Sequence, residues 1–150
     1  MTVIAWDGKQ LAADRRISFG NLSGSRIKIF KLSDNKYNDV LVGACGSSGD
    51  SQDFLHWVSS GRKIENWPTH LKDKDNTFSA MVIEKDKRIS LYEASPYPSI
   101  LEQPFWAIGS GRDFAIAALH CGKSAYEAVE ITVIYDVYCG NGIDCLEFKS

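Results

Sequence analysis

A β-branched apolar run, Thr2-Val3-Ile4-Ala5, stands directly behind Met1. It predicts that the first buried strand begins at residue two, which pins a segment that would otherwise fray. No basic leader or apolar targeting core stands ahead of it, so the expectation is a cytoplasmic protein. If Met1 is removed, Thr2 carries a hydroxyl and a free amine on one residue. A hydroxyl nucleophile needs a nearby base, and such a threonine brings its own. Left as it stands, Thr2 simply starts an edge strand.

The following residues alternate in ways that place strands. Val3 to Trp6 reads as a strand, Asp7-Gly8 as a hairpin turn and Gln10 to Ala13 as the returning strand, ending in Asp14-Arg15-Arg16. Gly20 to Gly24 reads as a polar loop. In Arg26 to Leu32, Ile27, Ile29 and Lys31 share one face, and Lys28, Phe30 and Leu32 share the other. Each face carries one lysine among apolar residues. A lysine that points into a covered region requires an acid partner, whereas one whose stem snorkels outward does not.

Ser33 to Asp39 reads as a turn. Val40 to Cys45 is apolar without alternation, as in a strand covered on both faces. It leads into Gly46-Ser47-Ser48-Gly49-Asp50, small residues that let backbone N–H groups face a ligand. A helix follows, capped by Asp50 or Ser51, with Phe54, Leu55, Trp57 and Val58 inward. Arg62 to Asn76 reads as a loop or one short helix. Phe78–Glu84 and Arg88–Ala94 form a hairpin, Ser95 to Gln103 a loop, and Phe105–Ile108 a strand running into Gly109-Ser110-Gly111. Arg112 to Cys121 is a helix with Phe114, Ala117, Ala118 and Cys121 on one side, stopped by Gly122. Ser124 with Glu127 has capping-box spacing and opens a helix with Tyr126, Val129 and Val133 inward, reaching about Tyr138. Ile143 to Phe148 is the last strand. Two buried strand sets with helices between and after them give an α+β fold, a four-layer αββα sandwich spanning 1–150 as one domain.

Composition excludes several functions. The 17 basic and 19 acidic residues are scattered and the net charge is −2, so there is no nucleic-acid footprint. No apolar run has the length of a membrane span. Cys45, Cys121, Cys139 and Cys145 lack paired CxxC spacing, which argues against zinc and for reduced core thiols. No phosphate-binding Gly-Lys-Ser/Thr loop is present, so any ATP-driven step falls to another protein.

Taken in order, Thr2-Val3-Ile4-Ala5, Leu11-Ala12-Ala13-Asp14, Arg26-Ile27-Lys28-Ile29, Gly43-Ala44-Cys45-Gly46, Ile108-Gly109-Ser110-Gly111, Ser124-Ala125 and Asp136-Val137-Tyr138-Cys139-Gly140 resemble the N-terminal-nucleophile hydrolases. The resemblance is to proteasome β-subunits and to the bacterial proteasome-like peptidase of the heat-shock locus V type, and it runs nearly end to end. It implies a threonine peptidase without metal or cofactor, acting on polypeptides, self-associated into rings and served by a separate AAA+ unfoldase ATPase. Thr2 would be the nucleophile, with its α-amine as base. Lys28 would keep that amine neutral, Asp14 would hold Lys28 charged, and the Gly46 N–H would face the oxyanion. Ser110, Asp136 and Cys139 would support the amine, with Cys139 standing where proteasome subunits commonly have serine. The first specificity pocket would take Arg16, Lys31, Ala44 and Ser48, a basic and small set suited to acidic or polar side chains. The stretch Gly61 to Asn76 is too short for the long second helix of the relatives. Two other readings use the same fold: a non-catalytic assembly protein that keeps Met1, and an amidase acting on a small molecule.

Overall fold

The computed structural model describes residues 1–33, 39–73 and 77–149. The turn expected over Ser33 to Asp39 lies largely outside the described residues, as does the end of the 62–76 loop.

Among the described residues, eleven strands and three α-helices follow in chain order: β1 Ile4–Trp6, β2 Gln10–Asp14, β3 Arg16–Phe19, β4 Leu22–Ser25, β5 Ile29–Ser33, β6 Asp39–Cys45, α1 Ser48–Ser59, β7 Ser79–Ile83, β8 Ile89–Tyr92, β9 Ser99–Leu101, β10 Trp106–Ile108, α2 Arg112–His120, α3 Ala125–Tyr135 and β11 Ile143–Glu147. One sheet has the order β10-β1-β2-β11, a second β5-β6-β7-β8-β9, and β3-β4 is a separate hairpin. All strand pairings among the described residues are antiparallel.

Strand alternation sorts the apolar residues into three cores. Ile4, Trp6, Leu11 and Ala13 meet Ile29, Leu41, Met81, Ile83 and Ile89 between the two sheets. Val3, Ala5 and Ala12 turn the other way, against Ala115, Leu119, Ala128 and Val129 of α2 and α3. Val40, Val42 and Ala44 turn outward from the second sheet, against Phe54, Leu55, Trp57 and Val58 of α1. The layers are therefore α1, sheet, sheet and the α2–α3 pair, the expected αββα sandwich. A run of consecutive apolar residues such as 40–45 is what a strand with helix on one face and sheet on the other requires.

Several local expectations change. Gly20 to Gly24 lies within a hairpin, with Ser18 opposite Ser23 and Phe19 opposite Leu22. Its polar, exposed strands bury too little apolar surface to show a period. The loop 95–103 contains β9, an edge strand paired to β8. Ser47, not Asp50 or Ser51, caps α1, its side chain accepting from the Asp50 N–H at 3.1 Å. The 62–76 stretch, expected as a loop or one short helix, carries two 3₁₀ turns among its described residues, Ile64–Asn66 and Thr69–Lys72. In α2 the buried residues are Ala115, Ala118 and Leu119, while Phe114 and Cys121 are exposed. Tyr126 of α3 is also exposed, and that helix ends at Tyr135 with Asp136 as its cap. Both helices bury small residues because they pack closely on the sheet, which leaves the large side chains outside. The Ser124–Glu127 capping box is present.

Register sets the positions that matter. β1 is central and antiparallel to both neighbours, with Ile4 opposite Ala13 on one side and Ile108 on the other. The N-terminal end of β1 is therefore flanked by Asp14 and by Gly109-Ser110. Phe54 anchors the outer core with ring contacts to Trp57, Trp67, Phe78 and Tyr92 at 5.3–6.0 Å between centroids. Phe54→Ala should destabilise the fold by about 3–5 kcal/mol. Urea unfolding checks this, and a loss below about 1 kcal/mol would contradict the packing.

Candidate active site

Asp14 ends β2 with its side chain fully buried, and its two oxygens collect donors from four segments. Oδ1 accepts from the Val3 N–H at 3.2 Å and from Lys28 Nζ at 2.8 Å. Oδ2 accepts from the N–H groups of Arg16 at 3.3 Å and Gly140 at 3.1 Å. A carboxylate removed from water needs such donors to offset its lost hydration. Lys28 lies just before β5 in the other sheet, and its ammonium is equally buried. Besides Asp14 it donates to the Met1 carbonyl at 2.9 Å. The pair thus ties the two sheets together beside residues 1 and 2.

Thr2 is 8% exposed. Its N–H donates to Ser110 Oγ at 3.1 Å, and its carbonyl accepts from the Gly111 N–H at 3.1 Å. This approach depends on Gly109, whose φ is +100° and where a Cβ would collide with the Thr2 carbonyl. Gly46, which follows β6, has φ +125°, and a Cβ there would press on the Phe78 backbone at 3.3 Å. Only glycine suits both positions.

Thr2 opens onto a cleft of about 690 Å³ lined also by Cys45, Gly46, Ser79, Glu93, Trp106 and Ser110. Burial pushes the Cys45 thiol up to about 12, with a Ser79 hydrogen bond and the Lys28 charge opposing it. Burial likewise raises Cys139 to about 12, reinforced by the charges of Asp14 and Asp136 and a hydrogen bond to Asp136. Both stay thiols at neutral pH and are poor nucleophiles. Asp136 also accepts from the Tyr138 N–H at 2.9 Å. Among the described residues, no group of three or more His, Cys, Asp or Glu side chains could hold a metal ion, and no helix is long and apolar enough to cross a membrane.

No family model matches the chain. Among curated proteins, proteasome subunit beta 1 of Thermococcus onnurineus is 28% identical over 172 aligned positions, covering 94% of this chain and 83% of that protein. Among solved structures, Thiobacillus denitrificans BPH superposes with a TM-score of 0.72 at 17% identity, covering 99% of this chain and 98% of that one. The same protein in complex with epoxomicin gives 0.68 at 15% identity, with 99% of each chain covered. The chain is a relative of the proteasome β-subunits. An alignment of 172 positions exceeds the 150 residues available here, so the Thermococcus β-subunit carries insertions that this relative lacks.

Of the residues expected to form a proteasome-type site, Thr2, Asp14, Lys28 and Ser110 are joined through hydrogen bonds that include the Met1 carbonyl and the Val3 N–H. Gly46 shares their cleft, and Asp136 and Cys139 bond to each other nearby. The expected specificity pocket is different. Arg16 turns away, donating to the Val137 carbonyl at 2.7 Å and to Asn141 Oδ1 at 3.2–3.3 Å. Lys31 Nζ lies 6.0 Å from the Phe148 ring centroid, because it is one residue out of phase with Phe30 and so on the opposite strand face. Ser48 is exposed at the start of α1. Ala44 alone of the four lines a small cavity, shared with Lys28, Arg26, Ser51 and Gln52. The alternation that pairs Lys28 with Phe30 also puts Arg26 on that face, one step further back. Cys45 was read as a core thiol, and it also borders the cleft.

Removing either partner of the buried pair has unequal consequences. Asp14→Ala strands the Lys28 ammonium and three N–H groups and should cost about 3–5 kcal/mol. Lys28→Met leaves the Asp14 carboxylate with three backbone donors and should cost clearly less. Denaturant midpoints of the two variants check the order, and equal losses would contradict it.

Proposed function

We propose that this chain is a threonine-type endopeptidase subunit, with Thr2 as nucleophile once Met1 has been removed. The observation that carries the reading is the buried Lys28 ammonium, 2.9 Å from the carbonyl that joins Met1 to Thr2. With Met1 attached, the Thr2 nitrogen is an amide and cannot act as a base. Removal of Met1 turns it into an amine, whose ordinary pKa of about 7.7–8.0 suits proton transfer at neutral pH. Removal also takes away one of the two acceptors of Lys28. The ammonium, still held by Asp14, then repels a proton on the new amine and favours its neutral form.

The reaction follows from these groups. The amine takes the Thr2 hydroxyl proton, directly or through a water, as Oγ attacks the peptide carbonyl. The Gly46 N–H donates to the oxyanion, a contribution worth about 3 kcal/mol in comparable sites. The amine returns the proton to the leaving nitrogen, and water then hydrolyses the acyl-threonine. Ser110 keeps the amine in place, and Asp136 with Cys139 braces the loop that carries Gly140.

Native protein should be lighter than the full sequence by one methionine residue in intact-mass measurements. Thr2→Ala should lower hydrolysis of quenched peptides by at least about 10³-fold while leaving the far-UV spectrum unchanged. A native protein that retains Met1 would instead support the non-catalytic reading.

We also take the chain to work as a subunit of a ring in the cytoplasm, fed by a separate unfoldase ATPase. In support of assembly, Ile134, Tyr135, Val137 and Tyr138, at the end of α3 and just beyond, are each more than half exposed. Such a patch is unusual on a free monomer. Sedimentation equilibrium should give a multiple of 16.7 kDa, reduced by the double change Ile134→Asp, Tyr135→Asp. A monomer at all concentrations would refute it.

A further inference from the structure

The cleft at Thr2 extends well past the reaction centre, and it does so in one direction. Gly46 follows β6, which has β5 on one side and β7 on the other. The small cavity lined by Ala44 and Lys28 is on the β5 side. The cleft of about 690 Å³ reaches the other way, along Ser79 of β7, Leu91 of β8 and Glu93 just beyond β8. A second cleft of about 570 Å³ shares Thr77, Ser79, Leu91 and Glu93 with the first and adds Tyr97. Glu93 thus stands where the two clefts meet. Tyr92 packs in the outer core against α1, so strand alternation turns Leu91 and Glu93 to the opposite face, toward the first sheet.

The position of the Thr2 nitrogen decides which half of a peptide would enter. That nitrogen donates to Ser110 Oγ at 3.1 Å, and Ser110 also lines the first cleft. In the reaction above, the amine hands its proton to the leaving nitrogen. The leaving nitrogen must then come within hydrogen-bond reach of the amine, on the Ser110 side, and the chain attached to it continues into the cleft. The walls carry two charges. Arg112 lines the first cleft alone, and its Nη1 donates to the Gly109 carbonyl at 3.0 Å, which holds it at the Ser110 end. Glu93 lines both clefts and is exposed, and among the described residues no cation pairs with it. Tyr97 is exposed as well. A carboxylate and an aromatic ring lining one cleft suit a cationic side chain, which gains an ion pair from the first and a cation–π contact from the second.

We propose that the second cleft, through Glu93 and Tyr97, is a subsite for a lysine or arginine side chain on the leaving side of the cleaved bond, beyond the first leaving residue. This rests on the peptidase reading above. The residue joined to the leaving nitrogen lies beside Ser110 and Arg112. Only residues after it reach the second cleft, which neither Thr2 nor Ser110 lines. An acidic side chain there would meet like charge.

The test uses chain with Thr2 at its N-terminus and quenched peptides of one acyl half, with a single Arg or Glu at the second, third or fourth leaving residue. At one of these positions the Arg peptide should exceed the Glu peptide in kcat/KM by at least about fivefold at low salt, and by less at high salt, as for a partly exposed charge pair. Hydrolysis of the acyl-threonine should proceed at one rate for both, because the leaving half has then departed. Glu93→Gln should bring the ratio toward one, Glu93→Lys should invert it, and Tyr97→Ser should reduce it. Thermal melting confirms that each variant is folded. Equal cleavage of the Arg and Glu peptides at all three positions by unaltered chain would overturn the proposal. So would a Glu93→Gln effect that falls on residues of the acyl half instead. Binding of the same peptides to Thr2→Ala, read by fluorescence anisotropy, reports the subsite without the chemistry. Tighter binding of the Arg peptide there, abolished by adding Glu93→Gln, with no peptide cut by unaltered chain, would sustain the cationic subsite and bring down the peptidase reading alone. Indifferent binding would overturn the subsite whatever the cleavage result.

Discussion

The Asp14 carboxylate is the constraint on which the remaining geometry hangs. It draws N–H groups from Val3, Arg16 and Gly140 and the ammonium of Lys28 onto two oxygens. Those donors come from the start of β1, the start of β3, the loop after α3 and the segment that leads into the opposite sheet. Such a cluster is poor as a source of stability, because desolvating two charges offsets most of their attraction. Its value is positional. Each donor left unpaired would be costly, so the four segments have one arrangement in which all are satisfied, and that arrangement sets the carbonyl of residue 1 against a buried cation.

Around that cluster the fold acts as a frame. The inter-sheet core and the two outer cores hold β1 with no freedom to slide, since a shift of one residue would send Ile4 and Trp6 toward the helices and Val3 and Ala5 between the sheets. Because β1 is central, its N-terminal end lies between two strand ends. One delivers Asp14, and the other delivers Gly109 and Ser110. The two glycines next to Thr2 and after β6 remove side chains where backbone must come close to backbone. The placement of Thr2 and the sheet register are therefore one property. A change that disturbs the register of β1 disturbs the position of Thr2 equally.

Much of this was readable from residue order. Alternation in Arg26 to Leu32 divided two lysines between two faces, and only the one facing an acid became buried. The capping box at Ser124, the doubly covered strand at 40–45 and the glycine stop at Gly122 each carried a local signal tied to one physical cause. The errors also have causes. The β3–β4 hairpin and edge strand β9 are exposed, so no apolar period marks them. The inward face of α2 was misread because small alanines, not Phe114, are buried where the helix lies close on the sheet. Arg16 and Lys31 were placed at a pocket by the family resemblance; their directions depend on partners distant in sequence, Asn141 and Phe148.

Residue order alone determined the elements and the chemical inventory: a hydroxyl on residue 2, an acid at the end of the second strand, a lysine out of phase with its polar neighbour. Those follow from periodicity and functional groups, which are local. Folding decided which of these groups meet. The 2.8 Å contact between Lys28 and Asp14 joins the two sheets, and the closeness of Ser110 to Thr2 joins the ends of two paired strands more than a hundred residues apart. They depend on sheet register and layer packing, which no single stretch of chain encodes.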